Sequence, residues 1–397
     1  MNKSRLEGNI WKYTILLVTN KRIFAAILGA YYLTIPDVTA WWIGMLLLIG
    51  TVAGFIFEIP SGYISDKLGH KEALIVSRVS MVISTACFLF SESIPALIAG
   101  GVFLNISNAF ASGTGSAFMH ETFRGLGREK DYTRVMGKIS AIGFGVPIFL
   151  TILIPFFVSI SYQVPFLVAL VFDIAGLLVA FTLVKPPVTP EEVAEIGVTN
   201  FKQVMQESWK LSFFRHAIFT GALMGTILAV SVFRAPYQVL LGVPIVWFGV
   251  LHGAGRAIAT LLQMYSGVIR DWTKSVANLY LLQLVLFLGM LFVLWLSSNL
   301  WVAITMLALM NGLQWGMIRV QEGYFFDVIG KSKFKATLLS VVSQVQLGVS
   351  GLVALGLGYV IEMTSYQIGF LSAGLGMIAF FVPLYLYIAY NHKRNST

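Results

Sequence analysis

Gly62-Tyr63-Ile64-Ser65-Asp66-Lys67-Leu68-Gly69-His70-Lys71 follows one long apolar run, and Gly267-Val268-Ile269-Arg270-Asp271-Trp272-Thr273-Lys274 follows another, 205 residues further on. Each begins with glycine, two apolar residues, a polar residue and aspartate, with a basic residue within the next three positions. Recurrence at the same place in the two halves of a chain marks an internal repeat. Working outward, apolar windows bounded by charges, glycine and proline predict spans at 11–35, 40–61, 73–91, 95–119, 135–159 and 164–184 (spans 1 to 6). A second set follows at 212–236, 244–266, 277–297, 300–322, 336–360 and 366–390 (spans 7 to 12). The longest polar stretch lies between the sets, opens with Pro186-Pro187 and carries Glu191, Glu192, Glu195 and Glu207. The expected organisation is therefore a six-helix bundle over 1–184, a linker over 185–211 and a second six-helix bundle over 212–397.

Composition leaves little room for another fold. Of the 397 residues, 57% are hydrophobic and only 11% charged, against roughly 25% charged in soluble domains. No water-soluble fold hides that much apolar surface, and twelve crossings of about 20 residues leave no length for a large extramembranous domain. The runs are continuous rather than alternating over about 10 residues, so helices are favoured over a transmembrane barrel. The first apolar run, broken by Asn20-Lys21-Arg22 and lacking a small-residue cleavage site, reads as a retained helix rather than a cleavable signal. The single cysteine, Cys87, can form no intramolecular disulfide.

The net charge of +9 is explained by topology. With the N-terminus inside, 21 of the 27 lysines and arginines fall in cytoplasmic segments and none in external loops. This positive-inside bias predicts both termini in the cytoplasm of a plasma membrane, the bacterial inner membrane being expected. Nucleic acid is not needed as a partner.

The first repeat segment resembles the G-x-L-a-D-r-x-G-r-k signature of the major facilitator superfamily, and the other segment resembles a degenerate copy of it. Phe57-Glu58-Ile59-Pro60-Ser61-Gly62 is similar to a bacterial branch of that superfamily. The resemblance implies an all-α membrane protein in which spans 1, 4, 7 and 10 line a cavity, 2, 5, 8 and 11 form the interface between halves, and 3, 6, 9 and 12 face lipid. It implies a conformational latch built on Gly62, Asp66, Lys67, Gly69 and Lys71, with Gly267 and Asp271 in the second copy. Physically, Gly62 is expected to permit close helix packing, Gly69 a tight reversal, and Asp66 to accept hydrogen bonds and pair with a nearby cation. His70 stands where the family usually has arginine, which would make the latch weaker or pH-sensitive. Glu121 and Glu322, at corresponding ends of spans 4 and 10, are expected to face the signature segments of their own halves.

The repeat also predicts contacts. Glu58 and Arg78 lie at one level on neighbouring antiparallel spans, and the 205-residue offset lands on Gln263 and Gln283. A buried polar group needs a partner, so the expected pairs are Glu58 with Arg78 and Gln263 with Gln283. The alternative makes Glu58 a proton carrier.

Six cations fall inside spans: Lys21, Arg22, Arg78, Arg234, Arg256 and Arg319. Intramembrane charges are costly and default to functional sites. Arg256, one turn from His252 in span 8, is the strongest substrate-binding candidate. Lys21 and Arg22 either bind substrate or snorkel to the headgroups; Arg319 either binds or pairs with Glu322; Arg234 reads as an external gate. Asn105, Asn108, Asn311, Gln314, Trp315, Tyr31 and Tyr32 are the neutral candidates, Asn105 and Asn108 sharing one helix face. Asp173 is an isolated carboxylate in span 6, either a hydrogen-bonded acid or a titrating site. No metal cluster, cofactor motif or nucleophile and base spacing appears, so an enzyme is not expected. Interior cations outnumber interior acids, favouring a secondary transporter of a small anionic or partly anionic solute. It is expected to be monomeric and driven by protons carried by Glu58, Asp173 or His252. The alternatives are proton-coupled drug efflux, for which Gly143-Phe144-Gly145-Val146-Pro147 is a distant approximation of the helix 5 motif, and a receptor or scaffold without transport.

Overall fold

A computed structural model describes residues 3–187, 213–329 and 335–395, which are helical almost throughout. Among the described residues, ten helices are long and apolar enough to cross a membrane. Span 2 is Ala40–Leu68, span 3 His70–Leu89, span 5 Tyr132–Leu153, span 6 Gln163–Phe181, span 9 Val276–Leu296, span 11 Lys335–Met363 and span 12 Tyr366–Asn395. Spans 4, 7 and 10 are each two helices end to end: Ile94–Ala111 with Thr114–Leu126, Phe213–Val232 with Arg234–Leu240, and Leu300–Gly316 with Ile318–Ile329. The remaining two expected spans are those with polar interiors. Span 1 is split into Asn9–Thr19 and Leu28–Tyr32, and span 8, Val246–Met264, carries His252, Arg256 and Gln263. The linker lies almost wholly outside the described residues.

The chain divides into two compact units, Met1–Asp37 with Ile49–Val198, and Val38–Leu48 with Thr199–Thr397. The division differs from a simple cut in the linker because the start of span 2 belongs to the second unit, where Glu362 accepts a hydrogen bond from the Trp41 backbone N–H at 2.8 Å. In the first unit, Tyr13, Leu16, Leu74, Phe118, Phe123, Ile139 and Leu183 form a buried cluster where spans 1, 3, 4, 5 and 6 meet. Spans 3 and 4 are tied by small polar residues: the Ser84 hydroxyl donates to the Gly100 carbonyl at 2.7 Å and that of Ser77 to the Ser107 carbonyl at 2.9 Å. Such bonds hold helices together in a medium where burial of apolar surface drives no association.

In the second unit small residues set the close approaches. A Cβ on Gly255 would lie 2.8 Å from Asn311 Oδ1 and 3.2 Å from the Ala308 carbonyl, and one on Gly316 would lie 3.3 Å from Ala259 Cα. Spans 8 and 10 therefore cross almost backbone to backbone. Spans 7 and 11 do likewise at Gly221 and Gly225, where added methyls would meet the carbonyls of Val342 and Gln346 at 2.7 and 2.6 Å.

The signature segments are helix ends rather than loops. Gly62–Leu68 forms the last turns of span 2, and the chain reverses at Gly69, whose φ is +109°. In the second copy Gly267–Thr273 lies within the helix Ser266–Thr273, and Lys274 ends it at φ +60°. Gly69 and Lys274 are 205 residues apart, so the two left-handed positions coincide in the register of the repeat. The close packing expected at Gly62 is not seen: a Cβ there, or on Gly267, would meet nothing within 4 Å. The side chain of Asp66 lies outside the described residues.

Both predicted pairs are replaced by other contacts. Arg78 Nη2 donates to the Leu16 carbonyl at 2.9 Å, and its Nε and Nη1 make no hydrogen bond. Gln263 Nε2 donates to the Trp315 carbonyl at 2.9 Å, while both amide atoms of Gln283 lack hydrogen-bond partners. Arg78 points to span 1 and Gln263 to span 10, in each case away from the neighbour that depth alone suggested.

Candidate functional site

Each unit holds one cluster of charge inside its helices. In the first, two arginines gather where span 1 breaks, at the end of Asn9–Thr19. Arg78 donates to the Leu16 carbonyl, which also accepts the Asn20 backbone N–H at 3.0 Å. Arg22 Nη2 donates to the Thr19 carbonyl at 3.3 Å, one of those a helix C-terminus leaves without a helical donor, placing positive charge at the negative end of the helix dipole. Arg22 also grips Asp173 with both terminal nitrogens, at 2.6 and 2.9 Å, and donates to Thr85 Oγ1 at 2.8 Å. The Thr85 hydroxyl in turn donates to Asp173 Oδ2 at 2.6 Å, and Asp173 is fully buried. The carboxylate of span 6 thus has a bidentate cation and a hydroxyl donor, the strong form of a charged hydrogen bond.

In the second unit the geometry is open. Arg234, just past the bend of span 7, directs Nη2 to His252 Nδ1 at 2.9 Å. One turn along span 8, the Arg256 guanidinium lies over the Trp315 ring, 4.5 Å from its centroid. The close crossing of spans 8 and 10 at Gly255 and Gly312 places Asn311, Gln314 and Trp315 beside this group. Gln314 Oε1 accepts from Ser231 Oγ at 3.3 Å, and Asn311 Oδ1 is buried without a hydrogen-bond partner. Among the described residues neither Arg234 nor Arg256 has a carboxylate partner, and each acts electrostatically on His252. Both guanidiniums and the imidazole are half-buried.

The other candidates separate into packing and peripheral roles. Tyr31 is buried, its hydroxyl donating to the Phe88 carbonyl at 2.7 Å and its ring lying 4.5 Å from that of Phe166. Tyr32 is buried as well. Asn105 donates to the Gly101 carbonyl at 2.9 Å and fills the space left by Gly50 and Gly54 of span 2. Asn108 is exposed. Arg319 is paired with Glu322 at 2.8 Å and largely exposed, which removes it from the interior cluster and turns Glu322 toward its own helix rather than the signature segment. Lys21 sits at the break of span 1 beside Arg22.

At the signature segments, His70 Nε2 lies 3.2 Å from Glu121 and Nδ1 lies 2.7 Å from Ser65 Oγ, which also accepts from Thr114 Oγ1 at 3.2 Å. Glu121 therefore faces the signature of its own half. The second copy solves the same contact differently: Arg270 pairs with Asp327 at 2.6 Å and lies over the Tyr324 ring. Lys67 lies over the ring of Tyr63.

Arg234 and Thr85 were not singled out for these clusters by the sequence. For Arg234 a signal exists: it and His252 stand nine residues on either side of Val243, in the turn between spans 7 and 8, and so lie at one depth.

The family model of the Major Facilitator Superfamily matches residues 13–331. The chain belongs to that superfamily. Solved structures of this fold agree across nearly the whole length. The nucleoside transporter NupG superposes with a TM-score of 0.68 at 14% identity, covering 98% of each chain. A bacterial homologue of the human lysosomal transporter Spinster gives 0.70 at 14% identity, covering 97% of this chain and 95% of that one. A POT family transporter in complex with a thioalcohol-conjugated peptide gives 0.68 at 12% identity, covering 98% and 96%. At these identities the likeness is one of fold. By sequence, a probable vesicular acetylcholine transporter-B of Danio rerio is 27% identical over 150 residues, which is 36% of this chain and 29% of the relative. Membership makes this major facilitator chain a multi-pass membrane protein of a transporter family.

Proposed function

We propose that the protein is a secondary transporter of a small organic anion, or of a solute with an anionic group, working by alternating access in a bacterial inner membrane with both termini inside. The observation that carries this reading is the Arg234, His252 and Arg256 cluster: two guanidiniums and an imidazole within one unit, without a carboxylate partner among the described residues. Uncompensated charge at membrane depth is costly, and a carboxylate or phosphate offers the planar, bidentate acceptor that guanidinium favours. Trp315 adds a ring against which the rest of the solute can pack. A proton is the proposed driving ion and a monomer the proposed working form.

The test is uptake of labelled organic anions into proteoliposomes, with and without an imposed pH gradient. Arg256→Ala should lower kcat/KM for the transported anion about a hundredfold, roughly the 3 kcal/mol of a lost charge-assisted contact, and Arg256→Lys should fall between. Transport of cationic amphipaths that is indifferent to Arg256→Ala would replace the anion reading with drug efflux.

A further inference from the structure

We propose that Arg234 and His252 form an exchange switch tying one proton to each anionic group bound: the anion takes the Arg234 guanidinium, and the imidazole nitrogen so released takes the proton. The inference rests on the anionic-solute reading above and adds where the coupling proton goes.

The argument starts from what the two side chains can do. Arginine carries five N–H donors and no acceptor. At 2.9 Å from Arg234 Nη2, His252 Nδ1 must therefore be the acceptor, and it bears no proton while the contact lasts. A proton on Nδ1 would set N–H against N–H and one cation against another. The surroundings offer no relief. Facing His252 are Arg234, from the helix after the bend of span 7, and Arg256, one turn on in its own helix. Span 10, packed along span 8, has no ionisable side chain anywhere in Leu300–Gly316 and contributes Asn311, Gln314 and Trp315. Beyond it, Arg319 is taken by Glu322 and Arg270 by Asp327. His216, near the start of span 7, lies with Tyr280 on span 9. Among the described residues of this unit no carboxylate meets the cluster, and the solute supplies the negative charge.

A carboxylate reaching Arg234 is a better partner than an imidazole nitrogen, since both sides of the new contact are ionised and two parallel bonds can form. Arg234 keeps all its protons and exchanges one acceptor for another. Nδ1 then has a free lone pair, a departed cation and a nearby anion, and it gains one N–H bond to a proton drawn from water. For a solute with one negative charge, the added anion and the added proton cancel. The cluster bears the same net charge empty and loaded, and transport of such a solute is electroneutral.

The experiment uses the full chain in lipid nanodiscs with its five histidines labelled with 15N, the His252 signals being those lost in His252→Gln. At about pH 6, near the ordinary imidazole midpoint, wild-type His252 should be neutral with Nδ1 as acceptor, whereas in Arg234→Gln the same ring should be mainly protonated. Unchanged signals from the other four histidines establish that the variant is folded. In a second arm, sodium benzoate is the probe. Its binding to wild type should take up about one proton per benzoate, and the ratio should fall at least tenfold in His252→Gln. An His252 ring with the same protonated fraction in wild type and Arg234→Gln overturns the switch, as does benzoate binding without proton uptake. Failure of benzoate to bind counts against the anion reading, while the Arg234→Gln comparison still decides the switch.

Discussion

The two interior charge clusters differ in one respect that separates their work. In the first unit, Arg22 is closed off by Asp173 and Thr85, with the carboxylate fully buried and every oxygen contact supplied by the protein. In the second, Arg234 and Arg256, half-buried like Arg22, meet a histidine nitrogen and a tryptophan ring and, among the described residues, no carboxylate. A cation that already has its anion can hold a broken helix together. A cation without one can bind. Intramembrane charge is thus not of a single kind, and the presence of a protein-supplied counter-ion tells a structural arginine from a binding one.

Stability and transport should therefore come apart between the two clusters, and the largest effect is expected where charge is paired. Asp173→Ala leaves Arg22 buried without its partner and should destabilise the protein by about 3 to 5 kcal/mol, read as a lowered thermal midpoint in detergent. The double variant Arg22→Met/Asp173→Leu should recover most of that loss, because a buried pair can be replaced by apolar packing at little cost. A double variant as unstable as the single one would show that the pair is not what secures span 1. Arg256→Ala should do the reverse, removing transport while shifting stability by about 1 kcal/mol or less. A thermal loss rivalling that of Asp173→Ala would erase the contrast. Thr85→Val deletes one donor to an ionised acceptor and should cost about 1.5 to 3 kcal/mol of stability, with KM for the transported solute unchanged. The smallest effect is expected at Lys274→Gly, which relieves a left-handed conformation and should stabilise the protein by roughly 0.5 kcal/mol.

How far the sequence reached into these clusters depends on what depth can and cannot say. Charge placement and the repeat were enough for the all-helical fold and the two sets of spans, and they pointed to Arg256 and His252, which lie in one cluster with Arg234. Depth matching then gave unequal results. Leu68 lies midway between Glu58 and Arg78, as Val243 does between Arg234 and His252, yet only the second pair meets. Equal distance from a turn fixes the level along two helices and leaves the direction around each axis undetermined. In a soluble helix the apolar stripe supplies that direction. Here lipid-facing and core-facing sides are both apolar, so Arg78 turning to the carbonyl of Leu16 left no mark in the pattern. The partner of Asp173 went unnamed for a related reason: a span expected to face lipid has a second face, and that face packs on Thr19 and Arg78 at Gly176. Arg234 read as a gate because its position was judged along span 7 alone rather than against the span that follows.

The bends at Gly69 and Lys274 bear on what the two halves share. Across the 205-residue offset Gly62, Ile64 and Asp66 recur as Gly267, Ile269 and Asp271, whereas Leu68 aligns with Thr273 and Gly69 with Lys274. Both residues take a positive φ, +109° at Gly69 and +60° at Lys274, while ψ differs, 149° against −25°. What the two halves hold in common at this point is the need to turn one helix into the next within one or two residues, and each meets it with a positive φ reached by a different residue and a different ψ.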